Sequence, residues 1–235
     1  MGVTRYTNHP WPIRLFNRVG PRPALQVPDL MAAARRKTGL QDYGDDWFTR
    51  PLSVLVQSIN EEANLSALGT AIMRKRLVDA LCTRLRAEAL FAQHPEILEI
   101  DLGKVMVIAG LQRTGTTLLH RLLASDPRVR APLSWQALNP VPLKGDPDNR
   151  KRIRAAKLAE RGLRFIAPDF FAIHPVEWDM PEEDVLFLDL SFMSQSAEAT
   201  MWVPTYAKWL EEQDSTPAYE YLKKVMQLLH WQTGG

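Results

Sequence analysis

The chain has 235 residues, 46% of them hydrophobic and 24% charged, with 29 basic against 27 acidic residues and a net charge of +2. That apolar content is enough for a core and excludes intrinsic disorder. The near-balance of charge gives no global case for nucleic-acid binding.

The length implies one domain, or one domain with a substantial accessory layer. Cys82 is the one cysteine, so an internal disulfide and a cysteine-rich zinc site are excluded. It falls in "LVDALCTRL" as a buried structural thiol. The first twenty residues carry proline and charge where a secretory signal needs an apolar run. The apolar runs at 105–111 and 185–188 are too short to span a bilayer. The expectation is a soluble, cytoplasmic protein.

In chain order, the first 28 residues are proline-rich and predict an irregular arm. "DLMAAARRKT" predicts a short helix over 29–38, capped by Asp29 and ended near Gly39. A second helix is expected from about Pro51, a residue suited to the first turn. A long amphipathic helix is expected from about Ser66 to Gln93, with Leu68, Ile72, Leu77, Leu81 and Leu85 on one face. Residues 1–103 therefore form an arm and a helical layer, and residues 104–235 a second region continuous with it.

At Lys104 the character changes. "VMVIAG" is the β-branched apolar run of a strand buried on both faces. In "TTLLHRLLAS", Leu118, Leu119, Leu122 and Leu123 share one helical stripe. "PRVRAPLSW" is a weaker candidate for a following parallel strand, and 140–148 is a loop. A basic helix begins near Asn149 and sets Arg150, Arg154, Lys157, Arg161 and Arg164 on one face. That face is either solvated or a contact for phosphate or an acidic substrate. Asp179 and Glu182 have the spacing of a capping box. Helices are then expected over 201–212 and from Thr216 and Pro217 to about Trp231.

Strand, glycine turn and helix are the context of a phosphate loop. In "GLQRTGTT" the spacing Gly110-x4-Gly115 is right, but Thr116 stands where a nucleotide triphosphatase has its lysine. Such a turn exposes consecutive backbone N–H groups at a helix N-terminus and binds anions. Thr114, Thr116 and Thr117 add hydroxyl donors, and Arg113 adds a planar charged fork. No apolar strand ending in Asp follows to hold magnesium. A phosphosulfate, whose sulfuryl end carries less charge than a terminal phosphate, fits this loop. The five histidines show no metal-ligand spacing, so no metal is expected.

"GLQRTGTTLLHRLLASDP" closely resembles the 5′-phosphosulfate loop of sulfotransferases, particularly the bacterial family with R-S/T-G-T-T-L-L. "ARRKTGLQDYGDD", "HPVEWDMPEED" and "YLKKVMQLLHWQ" extend the resemblance over nearly the whole chain. It implies an α/β, P-loop-like three-layer fold with an N-terminal helical layer and an incomplete parallel sheet. It also implies transfer of a sulfuryl group from 3′-phosphoadenosine-5′-phosphosulfate (PAPS) to a hydroxyl or amine of a small molecule or glycan, with no metal.

Residue by residue, the donor contacts fall on Gln112, Arg113, Thr114, Gly115, Thr116, Thr117 and Leu118, with Arg113 also stabilising the sulfuryl group in flight. Two departures stand out. Relatives often have Trp-Glu where this chain has Trp135-Gln136, and a glutamine cannot accept a proton. The family's 3′-phosphate site is expected after the "LLHWQ" helix, so the chain reads as the N-terminal part of such an enzyme. His174 is a candidate base or a loop histidine with a structural hydrogen bond. Glu182, and beside it Glu183, is a candidate base or a helix cap. The alternatives are an impaired or truncated sulfotransferase-like binding protein and a nucleotide kinase or triphosphatase with a degenerate loop.

Overall fold

The computed structural model describes residues 10–111, 114–167, 171 and 176–233. The chain divides into two compact units. Unit 1 is Met1–Leu85 with Gln195–Gln213, and unit 2 is Arg86–Ser194 with Asp214–Gly235.

Unit 1 is helical. Where an irregular arm is expected, helix α1 (Trp11–Val19) forms, with Pro12 presetting the backbone of its first turn. Helix α2 (Val27–Thr38) starts two residues before the predicted site, with Pro28 in the first turn and Asp29 behind it rather than at the cap. It stops where expected. Gly39 takes the left-handed conformation (φ 73°) and its N–H closes on the Arg35 carbonyl.

Helix α3 (Thr49–Glu61) buries Pro51, Leu52, Leu55, Val56 and Ile59. Asn60 at its end bonds both the N–H and the carbonyl of Leu25 at 2.9 Å, pinning the segment before α2. Helix α4 (Ala67–Gln93) follows, and the Ser66 hydroxyl accepts the Gly69 N–H. Its buried stripe runs through Ala67, Met73, Leu77, Leu81 and Leu85, with Cys82 buried beside it. Ile72, expected on that stripe, is 42% exposed. Leu68 is only half-buried. At the start of α4 the stripe is carried by neighbours of the predicted positions.

Arg84 is 1% exposed. Its Nε donates to the Tyr43 carbonyl at 2.9 Å, and its guanidinium lies 4.2 Å from the Phe48 ring centroid. It thereby folds "DYGDDWF" onto α4.

Unit 2 holds the last turns of α4. Ala87 and Phe91 join Ile97, Val141 and Leu228 in one buried cluster, with Leu90 and Trp231 packed against it. Among the described residues no strand forms. Val105, Met106 and Val107, expected in a strand buried on both faces, are 69%, 60% and 79% exposed. A β-branched run becomes a strand only with a neighbour to ladder against, and the described residues supply none. The second expected strand is also replaced. Leu133 makes an isolated antiparallel bridge to Pro181, and α6 (Ser134–Leu138) begins at once.

Helix α5 (Thr116–Ala124) precedes α6 and buries none of its side chains. Helix α7 (Arg150–Ile166) is the expected basic helix. Arg150, Arg154, Lys157, Arg161 and Arg164 are all exposed, as a solvated face requires. The Asp179–Glu182 capping box is not made. Pro181 is held in the bridge to Leu133, and α8 (Val185–Leu188) starts only after Asp184.

Two short helices of unit 1 come next, α9 (Ser196–Thr200) and α10 (Pro204–Glu211). The expected start at 201 moves to Pro204, because the residue before a proline avoids helical backbone. Helix α10 packs on α3. Finally α11 (Thr216–Trp231) matches its predicted bounds, although its cap is the Asp214 carboxylate, which accepts the Thr216 N–H and hydroxyl.

Candidate functional site

The site is built in unit 2 from the turn that opens α5. Gly115 has φ +91°, in the left-handed region that favours glycine, and stands at the N-cap of α5. A Cβ on Gly110 would lie 2.9 Å from Cγ2 of Thr116 and 3.1 Å from Oγ1 of Thr114. The backbone at Gly110 therefore lies directly on the two threonines, and only glycine permits that closeness. The Thr114 hydroxyl donates to the Leu111 carbonyl at 2.6 Å, tightening the turn. The first helical bond runs from the Leu119 N–H to the Gly115 carbonyl at 3.0 Å. The N–H groups of Thr116, Thr117 and Leu118 head the helix, where no intrahelical acceptor exists for them. This is the geometry of an anion cradle.

Of the predicted site residues, Thr114, Gly115, Thr116, Thr117 and Leu118 come together in this turn, with Leu118 75% exposed. Gln112, Arg113 and His174 lie outside the described residues.

The acidic segment "EWDMPEED" runs along α5. Arg121 of α5 pairs with Glu177 at 3.1 Å. Further along, the Thr117 hydroxyl donates to Oε1 of Glu183 at 3.2 Å. Glu182 is buried, and its Oε1 accepts the Glu183 N–H at 3.0 Å. The Glu182 N–H in turn donates to the Pro132 carbonyl at 3.0 Å. Of the two adjacent acids, Glu183 reaches the glycine turn and Glu182 braces the backbone beneath it.

Trp135 and Gln136 lie on α6. The Gln136 side-chain oxygen accepts the Leu133 N–H at 2.8 Å, capping the helix it belongs to. The Ser134 and Trp135 N–H groups donate to the Met180 and Trp178 carbonyls, each at 2.9 Å. This joins α6 to the acidic segment.

Sequence reasoning missed Arg152. It is 1% exposed. It donates to the Asn139 carbonyl at 2.9 Å and to Oε1 of Gln232 at 2.7 Å. It also bonds the Asn149 side chain, and its guanidinium stands 4.9 Å from the centroid of the Trp135 ring. Burial pushes its pKa down to about 10, partly countered by Asp146, so it stays charged at neutral pH. The available signal was positional. Arg152 shares a stripe with buried Ala156 four residues on, off the face that carries the five exposed cations.

Among the described residues, no cluster of His, Cys, Asp and Glu suits a metal ion. No described helix is long and apolar enough to cross a membrane.

A model of the sulfotransferase family matches residues 106–230, more than half of the chain. The chain is similar to the crystal structure of sulfotransferase STF1 from Mycobacterium tuberculosis H37Rv, with a TM-score of 0.74 and 31% identity. The match covers 90% of this chain and 59% of that one. It is also similar to sulfotransferase STF9 from Mycobacterium avium, with a TM-score of 0.76 and 27% identity, over 88% of this chain and 54% of that one. The chain thus spans little more than half the length of these solved relatives. No curated protein matches it significantly.

Proposed function

The chain belongs to the sulfotransferase family, and from that premise we propose that its Gly110–Thr117 turn holds the 5′-phosphosulfate of PAPS for sulfuryl transfer to an acceptor hydroxyl or amine. The observation that carries this reading is the glycine cradle. Gly110 is packed on Thr116 and Thr114, and left-handed Gly115 opens α5. Backbone can approach an anion closely there, and the helix dipole favours negative charge. The donor's chemistry is displacement at sulfur, in which the S–O bond to the 5′-phosphate breaks as the bond from the acceptor atom to sulfur forms.

The protein's part is to position and to stabilise charge. The N–H groups of Thr116, Thr117 and Leu118 and the Thr116 hydroxyl would hold the phosphosulfate oxygens, the Thr114 hydroxyl would keep the turn tight through the Leu111 carbonyl, and Gln112 and Arg113 are the further proposed donor contacts. Arg113 would also stabilise charge on the sulfuryl group. His174 and Glu182 are the proposed proton acceptors. Glu182 would take a proton on Oε2, while Oε1 keeps the Glu183 N–H.

Calorimetry tests the assignment. The chain should bind PAP, the desulfated cofactor, without metal, and Arg113→Ala should abolish that binding while the far-ultraviolet dichroism is kept. Unchanged affinity in Arg113→Ala refutes it. Tight, magnesium-dependent ATP binding in place of PAP binding would favour a nucleotide kinase or triphosphatase.

A second reading is favoured by Gln136. It stands where relatives often have an acid, and its side chain is spent on the α6 cap. In that reading the chain binds donor and a partner without catalysing transfer. PAP binding with no sulfate transfer to a panel of hydroxyl and amine acceptors would support it.

A further inference from the structure

The Thr117–Glu183 contact sets a carboxylate against a site read as an anion cradle. Thr117 Oγ1 has one proton to donate, and Glu183 Oε1 accepts it at 3.2 Å. The backbone that carries this carboxylate is held in place. The Glu183 N–H is held by buried Glu182 at 3.0 Å, the Glu182 N–H by the Pro132 carbonyl, and Pro181 by its bridge to Leu133. The Arg121–Glu177 ion pair fastens the same segment to α5 one turn further along. The Glu183 carboxylate meets the turn through the Thr117 hydroxyl.

A fixed negative charge beside a cradle weakens every anion there, and weakens the more highly charged one most. We propose that Glu183 is a specificity-determining residue of this site: held against Thr117, it selects a singly charged sulfuryl end over the more highly charged terminal phosphoryl group. The inference rests on the reading that the Gly110–Thr117 turn holds the donor's 5′-phosphosulfate. It gives Glu183 a task distinct from proton transfer, namely to bias an anion site of general character against nucleoside diphosphates and triphosphates. One extra unit charge about 4 Å from a carboxylate in a water-like dielectric is disfavoured by a factor of about five.

The probes are adenosine 5′-phosphosulfate and ADP, which share a skeleton and differ in a terminal sulfuryl or phosphoryl group. Each is titrated in competition with PAP, without metal, on the full chain and on Glu183→Gln. The amide keeps an acceptor for the Thr117 hydroxyl and removes the charge. The wild-type chain should prefer the phosphosulfate by about fivefold, and Glu183→Gln should bring the ratio close to one while binding PAP more tightly. Glu183→Asp, which keeps the charge, should retain a preference. A wild-type ratio near one, or a preference unchanged in Glu183→Gln, overturns the inference and leaves the donor-site reading standing. Failure of the wild-type chain to bind PAP at all overturns the donor-site reading, and the inference with it.

Discussion

Replacing Arg152 by methionine tests whether unit 2 depends on one buried cation. The side chain is 1% exposed and methionine roughly fills its stem. What is lost is the head group: bonds to the Asn139 carbonyl, the Asn149 side chain and the Gln232 amide oxygen, and the stacking on Trp135. Each charged hydrogen bond is worth about 1.5–3 kcal/mol, and an acceptor left buried without a donor costs about 1–3 kcal/mol. Against this, removing the guanidinium recovers its desolvation penalty, the same penalty that lowers its pKa to about 10. The balance is a loss of about 3 kcal/mol. Urea unfolding followed by tryptophan fluorescence reads this directly, since Trp135 and Trp231 lie in unit 2. Arg161→Met, on the exposed face of the same helix, should change stability by less than about 0.5 kcal/mol. A loss below about 1 kcal/mol for Arg152→Met would refute the claim that its hydrogen bonds outweigh its desolvation.

Other consequences are equally direct. Gly115→Ala forces a side chain into φ +91° at about 1–2 kcal/mol, and Gly110→Ala drives a Cβ into Thr116; each should weaken PAP binding at least about tenfold by calorimetry. In unit 1, hydrogen bonds from Ser58 and then Thr205 hold the Glu62 carboxyl below its ordinary value. A carboxyl depressed by folding stabilises above its unfolded pKa and loses that contribution as pH falls, so Glu62→Gln should flatten the decline in stability below about pH 5. Val107→Ser should leave stability within about 0.5 kcal/mol, because Val107 is 79% exposed; a large loss on denaturant unfolding would mean the segment is packed.

Features set by local chemistry were legible in the sequence. Gly39 ends α2 and Pro217 opens α11, and both act through their own backbone preferences within one turn. The glycine turn was legible for the same reason, since Gly110 and Gly115 impose it whatever lies around them. Features that need a second segment were not. "VMVIAG" has the composition of a strand, but a ladder needs a neighbour, and composition does not report one. Ile72 and Met73 are adjacent and both apolar, so the sequence did not decide which faces the core; packing chose Met73. Glu183 reaches Thr117 across 66 residues, and Arg152 reaches Gln232 across 80, separations at which spacing carries no information.

Gln136 bears on how an amide at a position that could hold an acid should be interpreted. Its amide oxygen caps α6 by accepting the Leu133 N–H, a duty a glutamate of the same length performs equally well. Scaffold and proton carrier are therefore separable occupations of one position. A change from acid to amide there removes the second and leaves the first intact, with the added property that the cap no longer responds to acidity. The helix survives such a substitution without compensation elsewhere, so an amide at this position is silent about the health of the fold. Gln136→Glu is therefore a one-atom experiment on chemistry rather than on architecture.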